Sequence, residues 1–248
     1  MFLKLKILKF IKKSTSGRNN KGHLTSERKG GGIKKFHWLI DYKRNFFNSP
    51  AKVLNIFEHI NRSFKVCLVL YKNGYLSFIP YIQGLNIKDI VISLKNTIVK
   101  YNYGDFLSLK YFSIGSLVSN IEGFYLNGSK YVRSGGLSAK VLKQTKVYTL
   151  LMLPSMELRF FFNECRAICG IIEGKKKRIF YKAGEKRLLG IRPKVRGIAR
   201  NPVDHPNGGR TNGGKIFKDR WGNKSKGFKT AKFKNKNYLI YGKANIGS

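Results

Sequence analysis

The sequence predicts a mostly β protein in which two small barrels lie between long basic extensions. Short apolar segments separated by turn residues recur through the middle of the chain, at roughly the 8 to 12 residue spacing typical of small barrels and sandwiches. The two ends are rich in Lys, Arg, Gly and Asn and have no sustained apolar period. We find no convincing βαβ unit and no long amphipathic helix.

The first group of predicted strands leads from the N-terminal extension into the first barrel. Asn73–Gly74 predicts a hairpin turn because both positions tolerate positive φ. Pro80 is expected at a sheet edge or a strand end because proline has no amide hydrogen. The predicted strands are FHWLIDY (36–42), AKVLNIFEH (51–59), KVCLVLY (65–71), YLSFIPYI (75–82) and IKDIVIS (87–93).

A second group of strands begins near Gly104. Its strands are predicted in SIGSLVSNIEGFYL (113–126), RSGGLSAKVLKQT (133–145), VYTLLML (147–153) and LRFFF (158–162). The last two should form a hairpin across PSME. We therefore predict basic extensions at 1–33 and 184–248. Between them we predict a barrel of OB-like size at 34–101 and a second small barrel at 102–183.

The charge of the chain is concentrated in its two extensions. Fifty Lys and Arg residues oppose 12 Asp and Glu residues, giving a formal net charge of +38. Residues 1–48 carry a net +11 and residues 174–248 a net +19, against +8 for residues 49–173. Such an excess repels itself unless a polyanion neutralises it, and cations placed on phosphates release counterions. This distribution predicts nucleic acid as the partner.

In the C-terminal extension, cations alternate with glycines and with flat side chains. Cations bind phosphates, aromatic rings stack on unpaired bases, and glycine allows close approach of the backbone. Without RNA we expect this segment to be largely disordered. The aromatic residues are Phe180, Tyr181, Phe217, Trp221 and Phe228.

NPVDHPNGG (201–209) is a stiff loop followed by a bend. Its prolines fix φ, and Gly208 and Gly209 allow a sharp turn. An enzymatic interpretation makes His205 a general base oriented by Asp204, but such a site also needs a nucleophile and a pocket that excludes water. No activated Ser or Cys motif is apparent. We therefore predict a loop shaped to fit folded RNA, with no catalytic residue.

Metal and membrane functions find little support in the sequence. Cys67, Cys165 and Cys169 lack the further ligands of a closed zinc site, so we expect no metal and no cofactor. No apolar run reaches the ~18 to 20 residues of a membrane span. The Lys-rich start, residues 1–15, is compatible with an organelle presequence or with an arm that touches RNA, and we favour the arm.

Several segments resemble, in the same order, the universal large-subunit ribosomal protein family L2. The most specific is KAGEKRLLGIRPKVRGIARNPVDHPNGG (182–209), and the resemblance extends from about Ser16 to Lys236. The other segments are RNNKGHLTSERKGGGIKKFHWLIDYKR (18–44), AKVLNIFEHINRSFKVCLVLYKNGYLSFI (51–79), GDFLSLKYFSIGSLVSNIE (104–122), YVRSGGLSAKV (131–141), ECRAICG (164–170) and WGNKSKGFKT (221–230).

The resemblance implies an OB-like barrel followed by an SH3-like barrel. It implies a structural constituent of the large subunit that supports assembly and subunit association and contacts neighbouring ribosomal proteins and the small subunit. It implies binding to ribosomal RNA near the peptidyl-transferase centre, where RNA carries out the reaction. We expect contacts close to that centre from Arg196, Asn201, Asp204, His205, Asn207, Gly208 and Gly209. We expect further RNA contacts from Arg18, Lys21, Arg28, Lys29, Lys175, Lys176, Lys177, Arg178, Arg187, Arg192, Lys194, Arg200, Arg210, Trp221, Lys226 and Lys229.

The chain departs from the family pattern in three places. Its N-terminal arm is short, Asn207 replaces the second histidine usual in the loop, and the stretch that follows is shortened to GGRTNGG. Abundant Lys, Phe, Ile, Asn and Tyr are typical of AT-rich coding sequence, so we expect a mitochondrial ribosome, with a plastid or a bacterial cytoplasm as alternatives. Two other functions remain open: a non-ribosomal RNA-binding factor of translation or RNA maturation, and a hydrolase that uses His205.

Overall fold

A computed structural model describes residues 8–58, 62–94, 101–175, 179–209, 211, 213–227 and 239–243. They form two compact units: one within residues 1–12, 35–178 and 235–248, the other within 13–34 and 179–234. The short helix α1 spans Ala183–Leu188, and 3-10 turns lie at Leu109–Tyr111 and Gly197–Ala199. The strands of the described residues are β1 (Lys9–Lys12), β2 (Lys35–Trp38), β3 (Ala51–Glu58), β4 (Lys65–Tyr71), β5 (Leu76–Pro80), β6 (Ile90–Val91), β7 (Phe106–Ser108), β8 (Leu117–Ser119), β9 (Ile121–Glu122), β10 (Ser129–Tyr131), β11 (Ala139–Gln144), β12 (Tyr148–Met152), β13 (Glu157–Phe162), β14 (Arg166–Cys169) and β15 (Ile240–Lys243).

The first unit contains a four-stranded antiparallel sheet in the order β5–β4–β3–β6. Strands β3 and β4 form where the sequence predicts them, because both are rich in apolar and β-branched side chains. The predicted hairpin joins β4 to β5. In its turn Gly74 has a φ of 77°, and its amide donates to the carbonyl of Tyr71 at 2.9 Å. Pro80 ends the edge strand β5, which confirms its predicted position.

A larger antiparallel sheet of the same unit has the order β15–β13–β12–β11–β8–β14–β7 among the described residues. Strands β12 and β13 form the hairpin predicted across PSME, with Tyr148 opposite Phe162 and Met152 opposite Leu158. Other predicted segments are interrupted. Within SIGSLVSNIEGFYL, β8 and β9 belong to different sheets, and the residue between them, Asn120, has a φ of 49°. The left-handed backbone at that position ends one pairing and begins another.

Two apolar cores lie beneath these sheets. The first is centred on β3, β4 and β5 and also takes in Phe106, Ile168 and Ile172 from the second half of the unit. The second is formed mainly by β8, β11, β12 and the segment around Leu109. The fold is therefore mostly β, as predicted, and its sheets are those of an OB-like barrel followed by an SH3-like barrel.

A buried ionic network lies where the two halves of this unit meet. The Glu122 and Arg166 side chains are fully buried and form two hydrogen bonds, Nη2 to Oε1 at 2.7 Å and Nε to Oε2 at 3.1 Å. The Arg166 side chain also donates to the carbonyl of Lys43 at 3.0 Å, and buried Arg44 donates to the carbonyl of Gly104 at 2.6 Å. Both guanidinium groups lie over the ring of Phe106. The network ties residues 43–44 to the second half of the unit, and nothing in the sequence pattern predicted it.

Short strands also form in the segments that the sequence describes as irregular extensions. Strand β1 pairs with β2, with Lys9 opposite Trp38. Strand β15 pairs with β13, and Tyr241 packs edge-on against the ring of Phe160 with centroids 5.8 Å apart. The two chain ends thus add strands to the first unit.

The second unit brings the N-terminal arm together with the C-terminal extension. The amide of Gly30 donates to the carbonyl of Gly190 at 3.1 Å, and the amide of Arg192 donates to the carbonyl of Arg28 at 2.9 Å. No side chain of α1 is buried, and the described residues of this unit contribute no side chain to either apolar core. Backbone hydrogen bonds and ion pairs join its two segments. The sequence predicted two separate basic extensions and did not indicate that they meet.

Candidate nucleic-acid interface

The second unit carries a large excess of exposed positive charge. Residues 13–34 and 179–234 contain 22 Lys and Arg residues and four Asp and Glu residues. A unit of this composition needs a polyanion to relieve its self-repulsion. The predicted RNA-binding cations that are exposed on it are Arg18, Lys21, Arg28, Lys29, Arg187, Arg192, Lys194, Arg196 and Lys226.

One acidic side chain connects the two segments of this unit. Glu27 accepts from Arg200 through both oxygens, at 2.8 and 3.1 Å, and from Arg220 at 3.3 Å. The hydrogen bond from Arg200 lowers the pKa of Glu27, and the same bond raises the pKa of Arg200. A bidentate Arg–carboxylate contact fixes the orientation of the guanidinium group as well as its distance from the carboxylate. Glu27 therefore positions two cations of the C-terminal extension from the N-terminal arm.

The glycine run at Gly30–Gly32 has a role in packing the backbone. A Cβ placed on Gly32 would lie 2.7 Å from both the Gly190 nitrogen and the Leu188 oxygen, and Gly32 itself has a φ of 88°. A larger residue at this position would force the two segments apart. The basic residues around this glycine run also predict a loop that follows a phosphate backbone, and this stays a prediction.

The NPVDHPNGG loop is closed by its own backbone. The carbonyl of Asn201 accepts from the amide of Asp204 at 3.0 Å, the carbonyl of His205 from Gly208 at 2.8 Å, and the carbonyl of Arg200 from Gly209 at 2.9 Å. A Cβ on Gly208 would meet the Asn201 oxygen at 2.3 Å, so this position requires glycine. These hydrogen bonds give the loop a defined shape, as its prolines and glycines predicted.

The ring of His205 is held inside this loop. Its Nδ1 accepts from the amide of Asn207 at 3.1 Å, and the ring lies so close to Gly197 that a Cβ there would be 2.4 Å from Cε1. Because Nδ1 uses its lone pair in that bond, a neutral ring carries its hydrogen on Nε2 and can only donate there. The group that faces Nδ1 is a backbone amide and not the exposed carboxylate of Asp204. This is a donor arrangement, unlike the acid-oriented base of a catalytic dyad.

Asn207 connects the loop to the backbone of Lys218 through two hydrogen bonds. It is 8% exposed; its Nδ2 donates to the Lys218 carbonyl at 2.8 Å, and its Oδ1 accepts from the Lys218 amide at 3.2 Å. An amide side chain satisfies both backbone groups at once, which an imidazole cannot do in the same geometry. Asn207 therefore has a structural role in fixing the loop to Lys218.

The remaining predicted residues divide by location. Lys175 lies in the first unit, where its ammonium pairs with Glu58 at 3.0 Å. Trp221 is 56% exposed, and its Nε1 donates to the carbonyl of Leu24 at 3.3 Å. Asn201 and Asp204 are exposed, whereas His205, Gly208, Gly209 and Arg200 are half-buried. The residues Lys176, Lys177, Arg178, Arg210 and Lys229 lie outside the described residues.

Sequence reasoning overlooked three residues that shape this surface. Glu27 is the first acidic residue of a basic arm, and that isolation is the feature that could have revealed it. Gly197 supports the ring of His205, and Arg220 joins the Glu27 cluster. For Gly197 and Arg220 the sequence offers no distinguishing pattern, since both lie among many similar residues.

The described residues give no support to a metal or redox site. Across 8–58, 62–94, 101–175 and the later described segments, no three His, Cys, Asp or Glu side chains come together. Burial raises the pKa of Cys67 and of Cys165 to about 12, so both thiols are protonated at neutral pH. No helix in the described part of the chain is long and apolar enough to cross a membrane.

The chain resembles known proteins over most of its length. A family model described as "Ribosomal Proteins L2, RNA binding N-terminal domain" matches residues 5–93, and one described as "Ribosomal Proteins L2, C-terminal domain" matches residues 102–227. The large ribosomal subunit protein uL2 of Chlamydia abortus is 41% identical over 229 residues, covering 91% of this chain and 80% of that protein. The uL2 proteins of Buchnera aphidicola and Helicobacter pylori are 42% and 39% identical, over 90% and 92% of this chain and 82% and 84% of theirs.

Proposed function

Because the chain belongs to the ribosomal protein L2 family, we propose that its two units act together as a structural constituent of the large ribosomal subunit. It binds ribosomal RNA and serves translation as a component of the ribosome rather than as an enzyme. The observation that carries this proposal is the second unit, where exposed cations from both ends of the chain are held on a scaffold of fixed shape. Hydrogen bonds and ion pairs between the two segments fix part of this arrangement, which lowers the cost of ordering the charges on binding.

The NPVDHPNGG loop is our candidate for the contact near the peptidyl-transferase centre. Its ordered backbone and the donor Nε2 of His205 suit a phosphate, a 2′-hydroxyl or a base acceptor. Arg196, which precedes Gly197, and Asn201, whose carbonyl accepts from the amide of His205 at 3.3 Å, are exposed and offer further donors. The other candidate contacts among the described residues are the exposed cations of the second unit and, as a separate contact, Lys175 of the first.

Peptide-bond formation itself is assigned to the RNA. A hydrolase that uses His205 needs a lone pair free to take a proton, but the lone pair of Nδ1 is occupied by the amide of Asn207. The group at Nδ1, where the orienting acid of such a site would lie, is that amide and not Asp204. This argument favours a structural histidine over a catalytic one.

The alternative function is an RNA-binding factor of translation or RNA maturation outside the ribosome. Sedimentation of the tagged chain from its own cells separates the two. A ribosomal constituent co-migrates with large subunits and stays with them in salt that removes loosely bound factors. Recovery of the chain only in slow-sedimenting fractions would contradict the proposal.

The finer assignments follow the same premise. We place the chain in the mitochondrial ribosome on its residue usage, with a plastid or bacterial ribosome as alternatives. We also propose a contact with the small subunit, to be tested by light scattering as the two subunits join. For domain bounds we keep 1–33, 34–101, 102–183 and 184–248, a division that limited proteolysis of the subunit-free chain would test.

A further inference from the structure

Two loops of the second unit have the same hydrogen-bond pattern although they come from opposite ends of the chain. In the first loop, residues 17–25, an isolated bridge joins Arg18 to Leu24. The Asn19 side chain accepts from the amides of Lys21 and His23, at 3.0 and 2.9 Å. The loop closes where the amide of Thr25 donates to the carbonyl of Gly17 at 2.9 Å.

The second loop, residues 217–225, repeats this arrangement position by position. A bridge joins Lys218 to Lys224, and the Asp219 side chain accepts from the amides of Trp221 and Asn223, at 2.9 and 2.8 Å. The amide of Ser225 donates to the carbonyl of Phe217 at 2.9 Å.

The shared glycine completes the equivalence. Gly22 has a φ of 78° and Gly222 a φ of 84°, and the amide of each donates at 3.1 Å to the carbonyl of its own loop's Asn19 or Asp219. No Cβ at either glycine would meet a neighbour within 4 Å, so the left-handed backbone alone requires glycine there. One local design is therefore used twice in the unit.

The two loops differ in the residues at their tips. The first presents Asn20 and Lys21, both exposed, and the second presents Arg220 and Trp221, also exposed. The indole Nε1 donates to the carbonyl of Leu24 in the first loop, so one loop fixes the orientation of the other's ring. Arg220 is held by Glu27, which leaves the ring of Trp221 as the group at that tip without a charged partner.

These tips suit two different parts of one nucleotide segment. A lysine ammonium on a rigid loop is a point charge for a phosphate, whereas an exposed indole offers a flat face to an unpaired base. The Asn19 and Asp219 side chains satisfy the loop amides internally, so the tips and not the backbone are available for contact.

We propose that loops 17–25 and 217–225 form one bipartite RNA site, in which Lys21 binds a backbone phosphate and Trp221 stacks on an unpaired base beside it. The proposal rests on the RNA-binding function proposed above and narrows it to a class of RNA. The RNA that fits is a bulge or internal loop, where an unpaired base lies next to an ordered backbone.

Binding of the full chain to a transcript of the large-subunit ribosomal RNA tests the division of roles. Trp221→Ala should weaken binding about 5- to 150-fold, the range for losing one stacked base, and should leave the salt dependence unchanged. Trp221→Phe is the matched control and should retain most of the affinity. Lys21→Ala should lower the log–log salt slope by about 0.7 to 0.9, the value for one phosphate, while Lys21→Arg keeps it.

The common scaffold has its own matched pair of variants. Asn19→Asp and Asp219→Asn exchange the residues that the two loops already use at one position, so both variants should keep the shape of their loop. Because each changes the charge by one, Asn19→Asp should bind slightly more weakly than the wild type and Asp219→Asn at least as tightly. Asn19→Ala and Asp219→Ala remove the internal acceptor and should weaken binding, although no residue at the tip has changed. A fully folded variant is verified by its circular dichroism spectrum.

Two results would overturn the bipartite site. One is wild-type affinity of both Trp221→Ala and Lys21→Ala; the other is a fall in salt slope for Trp221→Ala equal to that for Lys21→Ala. In either case the proposed function is still supported if the wild-type chain binds the transcript and co-sediments with large subunits. Wild-type chain that does neither refutes the proposed function itself.

Discussion

The packing of His205 against Gly197 gives the sharpest test of the loop's role. His205→Ala removes the imidazole, the Nδ1 acceptor for the amide of Asn207 and the Nε2 donor. Gly197→Ala leaves the histidine in the sequence but places a Cβ 2.4 Å from its Cε1 and 2.8 Å from its Nε2. The ring must then leave its position, because that separation is far below van der Waals contact. Both variants should therefore lose the RNA contact that we propose for His205.

The size of the effect follows from the internal hydrogen bond of the ring and from the RNA contact that we propose for it. Its internal hydrogen bond is worth roughly 0.5 to 1.5 kcal/mol to the loop. The proposed RNA contact is worth about 1 to 3 kcal/mol, a range that covers a hydrogen bond from Nε2 to a charged phosphate as well as stacking on one base. Each single variant should therefore weaken binding to a large-subunit RNA transcript by about 5- to 150-fold. The double variant should bind no worse than His205→Ala alone, since no ring remains for the new methyl group to displace.

Filter binding at one fixed salt concentration measures all four proteins. If the double variant loses affinity by the product of the two single losses, the position of the ring does not depend on Gly197 and the structural reasoning is wrong.

The same His205→Ala variant also separates a structural histidine from a general base. Subunits that carry it should assemble, though less completely, and should retain most of their rate in a model peptidyl-transfer assay. A positioned general base contributes roughly 10²- to 10⁴-fold. Protein occupancy must be verified in each preparation because loss of assembly imitates loss of chemistry. A fall of more than about a hundredfold in fully occupied subunits would refute the structural role.

Three further predictions concern charge and stability. Affinity for ribosomal RNA should fall steeply with salt, since most of the net charge lies in the extensions; a log–log slope below about two, meaning two or three phosphates, would contradict extensions buried in RNA. A fragment of residues 34–173 should show a cooperative thermal transition by circular dichroism. A fragment of residues 174–248 should show none, because it lacks the N-terminal arm against which it packs. A cooperative transition in the isolated fragment 174–248 would count against this division. Glu122→Leu should destabilise the full chain by about 3 to 5 kcal/mol, because it leaves Arg166 charged and buried without its partner. Glu58→Gln removes a charge from an exposed ion pair, so this control should barely change the midpoint temperature of unfolding. Equal shifts in the midpoint for the two variants would refute the argument.

Local patterns were sufficient for the strands and the stiff loop. Segments such as KVCLVLY form strands because β-branched and aromatic side chains favour the extended backbone, and Gly74 and Pro80 act through their own φ and missing amide. The shape of NPVDHPNGG followed from two prolines and two glycines in the same way. The irregular breaks at β8 and β9 could not be predicted, since they depend on which sheet each strand joins.

By itself, the sequence determined the class of fold, the basic character of the two ends and the family, because each of these is a property of residue type and order along the chain. Tertiary structure alone decided that the two ends meet, that Glu27 pairs with Arg200 and Arg220, and that Gly197 supports His205. It also decided that Glu122 and Arg166 form a buried pair across 44 residues of sequence. The physical reason is that contacts between distant residues depend on the folded path of the chain, and one Glu, Gly or Arg among many similar residues carries no local mark of its partner.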